Sequence, residues 1–266
     1  MPYRADLHDV DDDALDRLVA LGAIDVEWSR QGGIAVLMPD SVAPAQLASA
    51  LDILVDEISV SPAVGRDAGS VWVLSPRPIR VGRLRIVPAD AEAEPGALRL
   101  VDAAVFGTGL HPTTALCLEA LGDIVRMAPP DAVLDVGTGS GVLALGALLM
   151  GVPRALGIDI DDEALRIASE NARINGLHQQ LQLTIGGPDT VTGTWPLVLA
   201  NLLTGPLIDM APALVRRVGH QGQLVLSGIP SSVGPDVDRA YRRLGMRRGR
   251  VMSRAGWVAL VLQASW

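Results

Sequence analysis

The stretch that decides the fold reads Val133-Leu134-Asp135-Val136-Gly137-Thr138-Gly139-Ser140-Gly141. Its first four residues resemble a buried strand, and the glycines form a loop ahead of a helix that begins near Val142. Glycine lets the backbone turn tightly and approach a ligand, and a helix N-terminus favours polar or negative groups. The stretch therefore predicts a loop that binds a nucleotide-like cofactor.

The glycine spacing separates this loop from that of nicotinamide dehydrogenases. The dinucleotide pattern G-x-G-x-x-G requires glycine at the position of Val142, whereas the third glycine here is Gly141. A hydride-transferring dehydrogenase is therefore the least favoured enzyme alternative.

The chain around this stretch alternates short apolar runs with helical stretches. The runs are 133–136, 155–158, 181–185, 197–200 and 224–226, and the clearest helices are 115–127 and 161–175. This alternation predicts a doubly wound α/β domain, with a mostly parallel sheet and helices on both faces. Ligands in such sheets bind outside the carboxyl ends of the strands, so the residues that end the strands are the candidate site.

Two of these strand ends carry polar side chains suited to ligand binding. Asp159 follows the second strand about 20 residues after the glycine loop, where a carboxylate can accept both ribose hydroxyl hydrogens of a nucleoside. Asn201 follows the fourth strand, and its side chain can accept a hydrogen from an amine while Leu202 and Leu203 desolvate it. In enzymes that methylate planar nitrogen groups, an aromatic side chain commonly follows this strand and stacks on the planar acceptor. Neither Leu202 nor Leu203 can stack in this way.

A further loop precedes the helix at 115–127 and reads Phe106-Gly107-Thr108-Gly109-Leu110-His111-Pro112-Thr113-Thr114. It can close over a cofactor, and Thr113 or Thr114 can cap the helix while binding ligand. Phe106 is the only phenylalanine of the chain. His111 could act as a general base, but a loop histidine beside proline is more often a hydrogen-bonded orienter.

Composition limits the partners and the location. The chain has 266 residues, 49% hydrophobic and 20% charged, with mean hydropathy +0.32, which indicates a globular protein. A net charge of −8 and 3% aromatic residues argue against nucleic-acid binding. No signal pattern or membrane-length apolar run is present, and the single Cys117 excludes an internal disulfide and a thiolate metal cluster. We therefore expect a cytoplasmic protein, with a monomer favoured and without a metal.

The N-terminal part predicts a separate small unit. Helical spacing at 11–21 and 44–56 and β-rich runs at 24–28 and 34–38 indicate an α+β domain over residues 1–65. Residues 66–100, with β-rich pieces at 71–74 and 79–87, are predicted to be a linker and β-rich connection. The α/β domain then spans 101–266.

These motifs, with 157–161, 171–176, 201–206 and 226–229 in the same order, resemble the PrmA family, the methyltransferases of ribosomal protein eleven of the large subunit. The match is good over about 72–230. In the N-terminal part it extends only to the general layout, and Asp102-Ala103-Ala104-Val105 stands where the family usually has Asp-Pro-Gly-x-Ala.

The resemblance implies a Rossmann-like class I methyltransferase that uses S-adenosylmethionine to methylate lysine side chains and the N-terminal amine of that ribosomal protein, which the N-terminal domain recognises. The candidate catalytic residues are Asn201, His111 and Phe106. The candidate cofactor-binding residues are Thr108, Thr114, Asp135, Gly137, Thr138, Gly139, Gly141, Asp159, Ile160 and Asn201. The alternatives are the same chemistry on another protein or a small amine, and a cofactor-binding scaffold without catalysis.

Overall fold

The structure is a computed structural model that describes residues 3–8, 10–11, 14, 17–18, 21, 23, 25–28, 33–62, 78–92, 94–101, 111–254 and 256–266. The helices are α1 Pro44–Leu51, α2 Pro112–Met127, α3 Val142–Leu149, α4 Asp162–Ile174, α5 Thr204–Asp209, α6 Ala211–Arg217 and α7 Gly234–Arg243. The strands are β1 Tyr3–His8, β2 Asp25–Trp28, β3 Gly33–Met38, β4 Ser59–Pro62, β5 Ile79–Val81, β6 Leu84–Pro88, β7 Ala97–Leu100, β8 Val133–Val136, β9 Ala155–Asp159, β10 Leu181–Ile185, β11 Trp195–Asn201, β12 Val218–Pro230, β13 Met246–Arg254 and β14 Trp257–Ala264.

The large sheet has seven strands in the order β10-β9-β8-β11-β12-β14-β13. All neighbouring strands from β10 to β12 are parallel, and β14 is antiparallel to both of its neighbours. The first four predicted strands lie where expected, and the fifth is longer than expected. The predicted doubly wound, mostly parallel α/β fold is therefore confirmed.

Helices cover both faces of this sheet because side chains alternate along each strand. On one face Val133, Leu197 and Leu199 form a core with α2 and α3. On the other face Leu134 and Val198 form a core with α5, α6 and α7. Four consecutive buried residues in β8 follow from this two-sided burial, which explains the uninterrupted apolar runs of the sequence.

The N-terminal residues form a four-stranded antiparallel sheet in the order β2-β3-β1-β4. The β-rich runs at 24–28 and 34–38 correspond to β2 and β3, which pair antiparallel, whereas strand β1 is not expected from the sequence. The predicted helix 44–56 is too long: α1 ends at Leu51 because Asp52 adopts a left-handed conformation with φ 57°. Of the predicted helix 11–21, the described residues Ala14, Arg17 and Leu18 are helical.

Strands β5, β6 and β7 form a three-stranded sheet that contributes to the first core through Val81, Leu84 and Ile86. The single strand predicted at 79–87 is a hairpin, with Gly82 at φ 56° in its turn. The strand predicted at 71–74 lies outside the described residues. Among the described residues, no helix is long and apolar enough to cross a membrane.

Candidate active site

The polar residues predicted from strand ends meet at one edge of the large sheet. Strand β8 lies between β9 and β11, with Val136 opposite both Ile158 and Ala200 in the parallel registers. Gly137, Asp159 and Asn201 follow or end these three strands. They are therefore neighbours at the carboxyl edge, as the doubly wound fold requires for a ligand site.

The glycine loop, residues 137–141, is held by backbone conformations that favour glycine. Gly137, Gly139 and Gly141 have φ values of 71°, 53° and 80°. The amide of Gly137 donates to the carbonyl of Ile158 at 2.9 Å, and the amide of Gly139 donates to a carboxylate oxygen of Asp159 at 2.9 Å. These two hydrogen bonds hold the glycine loop against the end of the neighbouring strand β9.

Asp135 lies beneath the loop and is fully buried. One carboxylate oxygen accepts from the Thr138 hydroxyl at 2.7 Å and from the Ala144 amide at 3.2 Å. Burial raises the pKa of Asp135 to about 6, and the charge of Asp159 acts in the same direction. These contacts join the loop to the first turns of α3, so Asp135 and Thr138 shape the loop from below.

Asp159 and Ile160 form the rim of the site next to the loop. The second carboxylate oxygen of Asp159 accepts from the Asp161 amide at 3.1 Å, which leaves lone pairs on both oxygens for a ligand. Ile160 is 83% exposed, so its apolar side chain is open at this rim. Asp161 itself caps α4 by accepting from the Glu163 amide.

Asn201 lies next to Thr114 of α2. Its Nδ2 donates to the Thr114 hydroxyl at 3.3 Å, and Thr114 is 1% exposed. The Oδ1 atom of Asn201 is buried and has no hydrogen-bond partner among the described residues. A buried amide oxygen without a partner is costly, which indicates that a ligand donor completes it.

The acceptor loop, Leu202 and Leu203 between β11 and α5, consists of two leucines with different environments. Leu202 is partly buried and packs against the glycine loop and Gly228, whereas Leu203 is 73% exposed. At Gly228, with φ 83°, an added Cβ would lie 2.1 Å from the carbonyl oxygen of Leu202. Gly228 thus fixes the acceptor loop, a role that sequence reasoning missed because the contact joins two distant segments.

His111 is the N-cap of α2 and accepts from the Thr113 amide through Nδ1. Burial lowers the pKa of His111 to about 4, so its imidazole is neutral at pH 7. Its ring meets Trp257 edge-on at a centroid distance of 5.0 Å. This environment is that of an orienting residue. Phe106 and Thr108, the other predicted residues of this loop, lie outside the described residues.

Asn171 of α4 is a second residue whose importance sequence reasoning missed. It is fully buried and hydrogen-bonds to the carbonyl of Ser140 in the glycine loop at 2.8 Å. Asn175 follows one helical turn later. This repeat of asparagine on one helix face is the sequence signal that could have indicated the role of Asn171.

The comparison with known proteins now identifies the family. The model of the family "Ribosomal protein L11 methyltransferase (PrmA)" matches residues 45–265. The chain belongs to this family. The resemblance noted from the motifs is confirmed, and the matched span contains every candidate site residue, whereas strands β1 to β3 precede it.

Individual PrmA relatives cover most of the chain. A ribosomal protein L11 methyltransferase of Azotobacter vinelandii is 38% identical over 253 residues, which is 85% of this chain and 86% of that protein. One of Pelobacter propionicus is 38% identical over 210 residues, 76% of this chain and 68% of that protein. The solved structure of a ribosomal protein L11 methylase from Lactobacillus delbrueckii subsp. bulgaricus is 30% identical, with a TM-score of 0.65 over 71% of this chain and 100% of that one. The predicted class I methyltransferase fold is therefore confirmed.

Proposed function

We propose that this PrmA-family chain transfers methyl groups from S-adenosylmethionine to amines of ribosomal protein L11, at lysine side chains, at the N-terminal amine, or at both. Family membership supports the acceptor protein, because relatives over most of the chain carry this name. The observation in the site that carries the proposal is the buried Oδ1 of Asn201, which has no hydrogen-bond partner among the described residues and could accept from an amine N–H at the carboxyl edge.

The residues present fit S-adenosylmethionine. The glycine loop lets the backbone turn tightly at the carboxyl edge, because Gly137, Gly139 and Gly141 adopt left-handed conformations. Asp159 would hold the ribose hydroxyls, and the exposed face of Ile160 would cover part of the adenine. When bound, the cofactor would supply a methyl group on a sulfonium sulfur, and the sulfur would leave as a neutral thioether when an amine nitrogen takes the methyl group.

The acceptor amine must be neutral to react, and the site favours the neutral form by desolvation. A free lysine has a pKa of about 10.4, so roughly one in a thousand is neutral at pH 7.4, whereas an N-terminal amine has a pKa of about 8. Leu202 and Leu203 present apolar surface next to Asn201, which lowers the pKa of an amine held there. Asn201 orients the amine, and Thr114 holds the orientation of Asn201.

Proton removal needs no dedicated base in this proposal. The pKa of about 4 makes His111 a poor proton acceptor, and its Nδ1 is engaged with Thr113. Asp135 lies beneath the glycine loop and contacts Thr138 and Ala144. His111, Thr108 and Thr114 would instead order the segment that precedes α2 and the start of that helix, and Phe106 stays a candidate catalytic residue of this segment.

The division of labour along the chain is also part of the proposal. Residues 1–65 would select the ribosomal protein, and residues 66–100 would connect the two domains. Residues 101–266 would bind the cofactor and catalyse methyl transfer. The chain would work as a monomer in the cytoplasm, where ribosomal proteins are made.

The direct test incubates the purified chain with methyl-labelled S-adenosylmethionine and isolated ribosomal protein L11, followed by intact-mass analysis and peptide mapping. Because the chain has no lysine, methylation of its own lysines cannot confuse the signal. We expect mass gains of one or more methylenes on lysine or N-terminal peptides of L11. Cofactor binding without such gains would overturn the acceptor, and absence of cofactor binding would overturn the activity.

A further inference from the structure

Asn171 connects three separate parts of the chain through one buried side chain. It belongs to α4, its Oδ1 accepts from the amide of Val101 at 2.8 Å, and its Nδ2 donates to the carbonyl of Ser140 at 2.8 Å. Val101 directly follows β7, and Ser140 belongs to the glycine loop. Both ends of the amide are therefore used on backbone outside its own helix.

The bond to Ser140 acts on the conformation of the glycine loop. The Ser140 carbonyl belongs to the peptide that enters Gly141, which caps α3 in a left-handed conformation with φ 80°. Helix α4 also approaches Gly141 closely, since an added Cβ there would lie 3.1 Å from the Cβ of Ala168. Asn171 thus holds the peptide plane at the turn from loop to helix.

The bond to Val101 acts on a different part of the site. Residue 101 leads into the segment that is next described at His111, the cap of α2, three residues before Thr114. Holding Val101 and Ser140 on one rigid amide fixes the distance between the start of this segment and the glycine loop. Gly137, a candidate cofactor-binding residue, belongs to the glycine loop that is held in this way.

We propose that Asn171 is a positioning residue for cofactor binding, which sets the glycine loop against the chain at Val101. This inference rests on the proposed use of S-adenosylmethionine and concerns the affinity for that cofactor, with recognition of the protein acceptor unaffected.

Asn175 offers a matched control on the same helix. Its Oδ1 accepts from the Arg99 amide at 2.9 Å, and its Nδ2 donates to the carbonyls of Arg99 and Asn171, both at 2.7 Å. It therefore clamps β7 just before Val101, and among the described residues it makes no hydrogen bond to the glycine loop. The two asparagines separate a general role in attaching β7 from a specific role in shaping the cofactor loop.

The experiment compares Asn171→Asp with Asn175→Asp in the full chain. Each change keeps the Oδ1 acceptor and turns the Nδ2 donor into an oxygen that faces backbone carbonyls. The readouts are the Kd for S-adenosylmethionine by calorimetry, the Tm, and the KM for ribosomal protein L11. We expect Asn171→Asp to raise the cofactor Kd by about tenfold or more, the effect of one lost hydrogen bond and a misplaced loop, with the acceptor KM nearly unchanged.

A merely structural role predicts a different pattern. Both variants would then lower the Tm while the folded fraction binds cofactor with normal affinity, and that result would overturn the inference, as would equal losses of affinity in the two variants. If Asn171→Asp does not fold, Asn171→Ser and Asn175→Ser are compared by the same criterion, because a hydroxyl is too short to join Val101 to Ser140. A wild-type chain that binds no S-adenosylmethionine would instead refute the proposed function.

Discussion

Gly137 of the glycine loop and Leu202 of the acceptor loop lie in direct contact. A Cβ added to Gly137 would come within 2.3 Å of Leu202 Cδ2, far closer than two carbons can approach. The loop expected to bind the cofactor and the loop expected to bind the acceptor therefore support each other. Gly137 is needed for its small size as well as for its positive φ of 71°.

Gly137→Ala tests this contact, and Gly176→Ala is its control. Gly176 has a similar φ of 69°, but nothing lies within 4 Å of an added Cβ. Both changes should lower the free energy of unfolding by about 1–2 kcal/mol, the cost of a left-handed non-glycine residue. Only Gly137→Ala should also displace Leu202, and we expect it to weaken cofactor binding by about tenfold or more in calorimetry. Equal affinities in the two variants would contradict the packing argument.

Asp159→Ala should weaken cofactor binding strongly. Loss of hydrogen bonds to a charged group predicts roughly 1.5–3 kcal/mol, or about 10- to 150-fold in Kd. Asp161→Asn is the matched control, because asparagine can keep the cap on α4 while removing a nearby negative charge. Calorimetry should find its affinity close to that of the wild type. Unchanged affinity in Asp159→Ala would refute the ribose assignment.

The sequence was most informative where one local rule governs structure. Strand β8 and the start of α3 lie where the apolar run and the glycines place them, because burial and left-handed turns each require particular residue types. Asp159 and Asn201 could be placed at the carboxyl edge because they end apolar strands of a predictable sheet.

Contacts between distant segments could not be predicted in this way. Strand β1 reads Tyr-Arg-Ala-Asp-Leu-His, and its burial depends on the pairing with β3 and β4. Strand β13, Met246–Arg254, carries four arginines and lies at the edge of the sheet. Charged residues are common in edge strands, but they make a strand difficult to predict from an apolar pattern. The role of Asn171 likewise arises only when α4 meets Ser140 and Val101.

Asn201→Ala should lower turnover by removing the acceptor that orients the amine. A lost hydrogen bond to a buried group predicts about 1–3 kcal/mol, or about 5- to 150-fold in kcat/KM for ribosomal protein L11. Thr114→Val keeps Asn201 but removes the oxygen that accepts from its Nδ2, so a smaller fall is expected. Thr114→Ser, which retains the hydroxyl, should stay close to the wild type. Steady-state kinetics that rank the three variants otherwise would argue against this arrangement.

We expect the titration of His111 to lower the free energy of unfolding as the solution becomes acidic. Its pKa is lowered by burial from 6.5 to about 4, so the unfolded chain takes up the proton first as the pH falls. Stability is therefore lost progressively between about pH 6.5 and pH 4. His111→Asn removes this titration while keeping a residue suited to cap α2. Urea unfolding at pH 7 and pH 4.5 should show the variant gaining stability relative to the wild type at the lower pH.

His111→Asn also tests whether His111 removes the proton from the acceptor amine. If His111 only caps α2 and orders the loop that precedes it, His111→Asn should retain turnover within about fivefold at pH 8, a loss of roughly 1 kcal/mol. The pH profile of kcat/KM should then follow the acceptor amine, rising toward higher pH in both proteins, because the neutral amine is the reactive form. A variant that binds S-adenosylmethionine normally but no longer turns over would show that His111 is the base, despite its lowered pKa.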